Sequence, residues 1–281
     1  MKVCLTSDNQ LSTAYLQHRD LLEASDKYDL IIEARDLTPE QLQQYRRILL
    51  LERCDSATIG GAPRRLLGHE NVAKLLKMYY YDSLDIQNRP MVDGRAFVPL
   101  NGTEKPFTIA LTEADLAKVE PGLNFYHYQP VIECIEYCAT HKSIPFMERF
   151  YDYSFIGTVD YSPGKGSAYQ YIGDCRKEVI KRIKSYKEAK VYVAAGRPVK
   201  RVAYFHIMAN TRHAPSPFGW GEYCYRDYEC LLLGCAVEKP QNKDTDKLRD
   251  MHGLWPFTYG TTVPAEPPHK DARSFIQRLL S

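Results

Sequence analysis

The chain has 281 residues, room for one large domain or two small ones, and its 44% apolar content can fill real cores. Its 37 basic and 35 acidic residues are spread along the chain and nearly cancel to a net charge of +2, which leaves no electrostatic footprint for nucleic acid or an acidic membrane surface. No apolar run reaches membrane-spanning length and Met1-Lys2 leads straight into a short strand, so a soluble, cytoplasmic protein with no membrane span is expected.

The first sixty residues alternate in type. Residues 3–6 read as a strand, 11–22 as an amphipathic helix and 30–34 as a second strand. Thr38-Pro39-Glu40 opens a helix with a capping residue and a first-turn proline, and residues 48–51 form a wholly apolar third strand. Strand–helix–strand–helix–strand at this spacing predicts a parallel sheet buried on both faces. The loop after the first strand lacks G-x-G-x-x-G, which disfavours an ordinary NAD-binding half. Residues 60–82 read as a long helix broken near Gly68, and 83–106, rich in Pro, Gly and Asn, as loop. Strands are expected at 107–111 and 125–128, a helix at 131–140, and a hinge at 143–152.

The second half restarts the alternation, with a strand at 154–159, a helix running to about 187 and a strand at 191–195 ended by Gly196-Arg197-Pro198. Asp160 to Ser167 is a flexible loop carrying Lys165; it lacks the full G-x-x-x-x-G-K-[ST] pattern and carries little weight as a phosphate loop. A helix at 199–210 leads into Pro215-Ser216-Pro217-Phe218-Gly219-Trp220-Gly221, whose prolines and glycines force a tight turn and allow close backbone approach to a ligand. The pattern becomes helical from Glu222 and stops at Gly234, before the apolar run Cys235-Ala236-Val237. A glycine-rich loop entering a helix N-terminus suits a diphosphate. Glu222, Arg226 and Glu229 fall on one helix face, where they form either a solvated salt-bridge ladder or, given the loop before them, a ligand-binding edge. Residues 264–268 mark a linker before a final amphipathic helix at 271–280.

The eight cysteines lie mostly inside predicted elements without metal-ligand spacing, so they read as reduced thiols. The 21 tyrosines suit cores and carbohydrate contact alike. Two halves of similar length predict two Rossmann-like units facing across a cleft, with ligands beyond the carboxyl ends of the strands. The boundaries expected are 1–145, 146–268 and a C-terminal helix at 269–281 that is a candidate to cross back onto the first unit.

The run S-P-F-G-W-G-E-Y-C-Y-R-D-Y-E, followed by G-C-A-V-E-K-P, resembles the donor-binding motif of exostosin-like GT-B glycosyltransferases. F-I-G-T-V-D-Y from Phe155 and the helix carrying Arg176 resemble the same family's C-terminal domain, so the likeness covers roughly residues 150–245. It implies a compact GT-B fold and a transferase that moves a sugar, with xylose one candidate, from a UDP-sugar to a carbohydrate acceptor without a metal cofactor. It also implies that Arg226 and Glu229 hold the nucleotide sugar, with Gly157, Thr158, Arg176, Ser216, Phe218, Gly219, Trp220, Gly221, Glu222 and Tyr223 around it. Glu222 and Glu229 stand one residue closer than the two glutamates of retaining relatives commonly do, so the stereochemical outcome stays open.

Metal-free transfer needs backbone N–H groups and a cation on the departing phosphate. Residues 219–223 are the candidates for the former, Arg226 for the latter, with Arg176 or Lys165 in support. Asp244-Thr245-Asp246 fits D-x-D literally, but its polar setting reads as a surface loop. Arg197 is placed to stack on the base or simply to make a turn; Trp220 closes over the sugar or pins its loop. An inverting reaction further needs a base from the first half, where Asp8 is preferred over Asp55 and His127, although both aspartates could equally cap helices and a lone histidine on a strand is usually structural. The rival reading is a nucleotide-sugar-binding module without catalysis, or a subunit of a glycan-assembly complex.

Overall fold

The computed structural model describes residues 2–5, 10–52, 55–123, 127–161, 166–219, 221–240, 244, 247–250 and 272–281. It is an α/β protein with two parallel sheets. The chain begins β1 (Lys2–Cys4), α1 (Gln10–Leu16), α2 (Arg19–Ala24), β2 (Leu30–Glu33), α3 (Pro39–Gln44), β3 (Ile48–Glu52), α4 (Gly61–Leu66), β4 (Val72–Lys77) and β5 (Tyr79–Tyr81). It continues through α5 (Leu84–Asn88), α6 (Glu113–Leu116), β6 (Val119–Pro121) and α7 (Gln129–Thr140). The second half comprises β7 (Tyr151–Gly157), α8 (Ser167–Lys184), β8 (Val191–Ala195), α9 (Arg201–Ala209), β9 (Thr211–Pro215), α10 (Tyr225–Leu232) and β10 (Ala236–Glu238). Last come β11 (Leu248–Asp250), antiparallel to β5, and α11 (Ala272–Leu280).

The first sheet runs β1-β2-β3-β4-β6 in chain order. Its strands are apolar on both faces: Ile31, Leu49 and Leu51 face one core, and Leu30, Ile32, Ile48 and Leu50 the other. Each such side chain contributes about 1.5–3 kcal/mol relative to exposure, so β3 is the backbone of this half. Thr38 starts α3 with a capping box, its hydroxyl accepting from Gln41 N–H at 3.4 Å while Gln41 accepts from Thr38 N–H at 2.8 Å. The second sheet runs β10-β9-β7-β8, so the chain leaves β7 to one side for β8 and returns to the other side for β9.

The halves share packing. Tyr223 and Tyr228 of the second half sit in a core with Tyr79, Tyr81 and Leu76 of the first. Helix α7 turns Val131 toward that core and Cys134 toward the core of the second sheet. Helix α11 brings Ile276 and Leu279 onto the first half, and Arg273 pairs with Asp20 of α2 at 2.9 Å.

Several expected elements differ. The long helix expected at 60–82 ends at Leu66, and Val72–Lys77 is instead an interior strand. Its V-A-K-L-L-K pattern fits either period over so short a run, and pairing with β3 and β6 decides for strand. Residues 107–111 form no strand, and α6 follows them. The helix expected at 11–22 is two helices separated at Gln17-His18. Strand β9, absent from the sequence expectations, occupies the middle of the second sheet. The expected strand at 125–128 lies largely outside the described residues, and His127 belongs to a turn before α7. The expected linker at 264–268 is also outside them. Seven described cysteines are free thiols. Among the described residues no helix is long and apolar enough to cross a membrane.

Candidate functional site

The second sheet reverses its strand order between β7 and β9, and the crevice beyond such a reversal is where ligands of open α/β sheets bind. Two arginines lie at this end of the sheet. Arg226, in the first turn of α10, lies flat on Gly157 at the end of β7: a Cβ there would stand 2.4 Å from Arg226 Nη2. The guanidinium carbon sits 4.8 Å over the Phe155 ring, and Nη2 donates to the Ile156 carbonyl. Nη1 of Arg226 is buried and has no hydrogen-bond partner among the described residues.

Arg176 comes from α8. Its Nη1 donates to the Thr158 carbonyl at 2.7 Å and to the Tyr161 hydroxyl at 2.6 Å, while Nε and Nη2 donate to the Phe218 carbonyl. Burial, reinforced by the positive charge of Arg226, holds Arg176 below its ordinary value. Two guanidiniums are thus held together with no carboxylate hydrogen-bonded to either among the described residues, an arrangement that a bound anion would relieve. Beside Arg176 is a cavity of about 210 Å³, which Tyr169, Gly219, Cys224 and Tyr225 also line.

The loop after β9 does different work from that expected of it. Helix α10 begins at Tyr225 rather than Glu222, because Asp227 folds back to accept from Cys224 N–H at 2.8 Å. Asp227 is fully buried, receives the Ser216 hydroxyl and pairs with Lys239 at 2.9 Å. The N-terminus of α10 is therefore already capped. Gly219 N–H donates to the Gly221 carbonyl and Tyr223 N–H to the Tyr79 hydroxyl, so these expected anion donors are occupied. At Gly219 and Tyr223 the loop backbone is thus committed to hydrogen bonds within the protein.

Glu222, Arg226 and Glu229 do not make a common edge or a ladder. Glu222 is fully buried before the helix, where its carboxylate accepts from Ala57 N–H at 3.0 Å and from the Tyr81 hydroxyl at 2.9 Å. Burial raises its pKa against those two bonds. Glu229 is buried and pairs with Arg201 of α9, which also donates to the Pro130 carbonyl and to Glu133 of α7. That arginine had no signal in the sequence. Phe218 is buried against Phe97, ring centroids 4.5 Å apart, and Tyr223 packs edge-on against Tyr79 at 4.7 Å. Thr158 and Arg197 are exposed, Arg197 on the turn after edge strand β8. Asp8, Lys165, Trp220 and Asp246 lie outside the described residues, while Asp244 pairs with Arg89.

The loop makes a junction with the first half. Gly221 packs so closely on Asp55 that a Cβ would fall 1.6 Å from the Asp55 carbonyl oxygen, which also accepts from the Tyr79 hydroxyl. This contact fixes Asp55, just beyond β3, in the lining of the cavity beside Arg176. The same aspartate lines a second cavity of about 620 Å³ at the carboxyl ends of β2 and β3. Burial raises the Asp55 pKa, opposed by Lys77 and Arg95. Of the three expected bases, Asp55 alone is brought by the described residues to the arginine cavity. His127 is placed before α7 and does not line either of these two cavities.

Among the described residues no group of three or more His, Cys, Asp and Glu side chains is placed to hold a metal ion. No family model matches the chain, and no curated protein matches it.

Proposed function

We propose that the protein is a glycosyltransferase that moves a sugar from a UDP-sugar to a carbohydrate acceptor, its two Rossmann-like halves facing each other as in the GT-B arrangement. The observation that carries this reading is the buried Nη1 of Arg226, without a hydrogen-bond partner among the described residues, next to Arg176 at the point where the second sheet reverses. A guanidinium pair fits a diphosphate, whose oxygens gain negative charge as the bond to the sugar C1 breaks. In this reading Arg226 and Arg176 supply the positive charge without a metal.

Asp55 is the base. It lines both cavities, and a carboxylate whose pKa is raised accepts a proton better near neutral pH. The acceptor hydroxyl loses its proton to Asp55 while its oxygen bonds to C1, and the C1–O electron pair leaves on the diphosphate. Such a displacement inverts the anomeric centre. Calorimetry with UDP and the Arg226→Ala variant tests the reading: loss of binding with an unchanged melting temperature supports it, and an unchanged affinity removes the phosphate role. Slow release of UDP from a UDP-sugar distinguishes a transferase from a module that only binds.

A further inference from the structure

One nucleophile beside the two arginines has no part in the reaction proposed above. Cys224 is the N-cap residue of α10, held there because Asp227 accepts from its N–H at 2.8 Å. The side chain is partly exposed and lines the 210 Å³ cavity together with Arg176, Asp55 and Gly219. A Cβ on Gly219 would stand 3.9 Å from Cys224 Sγ and 3.9 Å from Arg176 Nη2, so thiol and guanidinium border the same small volume. Ser216 gives its one hydroxyl proton to Asp227, which makes the thiol the donor in its 3.7 Å contact with Ser216 Oγ.

The charges around this thiol are unequal. In the cavity lining Arg176 is the one cation and Asp55 the one carboxylate. Arg226, two positions beyond Cys224, adds a second cation, whose Nη1 has no hydrogen-bond partner among the described residues. The next carboxylates along the chain are engaged elsewhere, Asp227 with Lys239 and Glu229 with Arg201. Two guanidiniums thus stand against one carboxylate. Burial opposes the charge on both, whereas a negative charge on Cys224 favours both. A partly exposed thiol among cations at a helix N-terminus is the kind that reacts with peroxides.

We propose that Cys224 is an oxidation site whose sulfinate pairs with Arg176 and Arg226 in the place of a diphosphate. The oxidant is a hydroperoxide. Sulfur attacks one peroxide oxygen of hydrogen peroxide, the S–O bond forms as the O–O bond breaks, and the departing oxygen takes the thiol proton to leave as water. A second peroxide carries the resulting sulfenic acid to the sulfinic acid, again with release of water, and the acid proton is lost to solvent. In each step sulfur is oxidised and one peroxide reduced by two electrons. The product holds two oxygens and a negative charge on one sulfur, which matches the fork of a guanidinium. That the anion kept out is a nucleotide donor rests on the function proposed above; the oxidation and its ion pairs do not.

The full chain, treated with hydrogen peroxide and mapped by mass spectrometry over its eight cysteines, tests the assignment. Cys224 should oxidise about tenfold faster than any other, with the partly exposed Cys4, Cys138 and Cys175 as internal controls. The oxidised protein should melt about 3 °C higher, because the sulfinate relieves the guanidinium pair. By calorimetry it should bind UDP about 100-fold more weakly than the untreated protein. Treatment should change neither quantity in Cys224→Ser, which keeps a favoured N-cap residue, nor in Cys224→Ala. Faster oxidation at another cysteine, no rise in melting temperature once the sulfinate has formed, or the same response in either variant overturns the proposal. If UDP binds the untreated and the oxidised protein equally well, this inference alone falls. If Cys224 oxidises and the melting temperature rises while UDP binds neither form, the transferase reading falls and the oxidation site stands.

Discussion

The strands of the first sheet lie in chain order, β1-β2-β3-β4-β6, whereas those of the second reverse between β7 and β9. At the carboxyl ends of the first are Glu33, Glu52 and Asp55; at those of the second are Arg176 and Arg226. The two parallel sheets thus differ in what their carboxyl ends carry: mostly carboxylates, beside Arg35 and Arg95, on one side and two arginines on the other. In the reading proposed above, the difference divides the chemistry of a transfer: guanidiniums suit a departing diphosphate, carboxylates the hydroxyl that attacks. Asp55 belongs to the acid side by sequence and to both cavities by position, because Gly221 and Glu222 reach across to hold residues 55–57.

The widest separation of the two sides should come from Asp55→Asn. Turnover should fall about 10²–10⁴-fold while UDP affinity stays within about twofold, measured by initial rates and calorimetry. An equal loss of both would place Asp55 on the donor side and erase the division. Arg226→Ala is its counterpart. It should weaken UDP about 100-fold, or ~3 kcal/mol, by calorimetry.

The junction between the sides is probed by two glycines. Gly221→Ala forces a methyl group into the Asp55 carbonyl and should destabilise the protein by about 3 kcal/mol. Gly196→Ala, at φ +66° with nothing within 4 Å, should cost only ~1 kcal/mol of backbone strain. Chemical denaturation that ranks them the other way would show the junction to be loose.

The pH dependence sharpens the assignment of the base. Burial raises Asp55 above its ordinary 3.8, so the acidic limb of the rate should lie above that value, with activity lost as falling pH protonates the carboxylate. Stability runs the other way: a raised native pKa favours the fold below the unfolded value and loses that contribution as pH rises through the native one. Asp55→Asn should remove both effects. The smallest response belongs to Arg197→Ala. Exposed beyond edge strand β8, this residue should change stability by less than about 0.5 kcal/mol and leave UDP binding intact.

What the sequence made legible was local. Thr38-Pro39 announced α3, the apolar run at 48–51 gave β3, and 191–195 matched β8 because such signals need no distant partner. The loop at 216–223 was visible as a turn leading into a helix, but neither its purpose nor the strand before it was. Glu222 is explained by Ala57 and Tyr81, more than a hundred positions away, and Glu229 by Arg201 on another helix. Strand β9 stayed hidden because T-R-H-A-P lacks an apolar run and ends in proline; its neighbours β7 and β10 hold it in the sheet. Glu52 and Lys77 are unremarkable ends of two apolar strands until register sets them opposite each other.

A crystal structure of the protein with UDP bound tests the division of labour most directly. The diphosphate should lie at the β7–β9 crevice, its oxygens within hydrogen-bond distance of Arg226 Nη1 and Arg176. A nucleotide bound elsewhere, with Arg226 Nη1 left unpartnered, would contradict it.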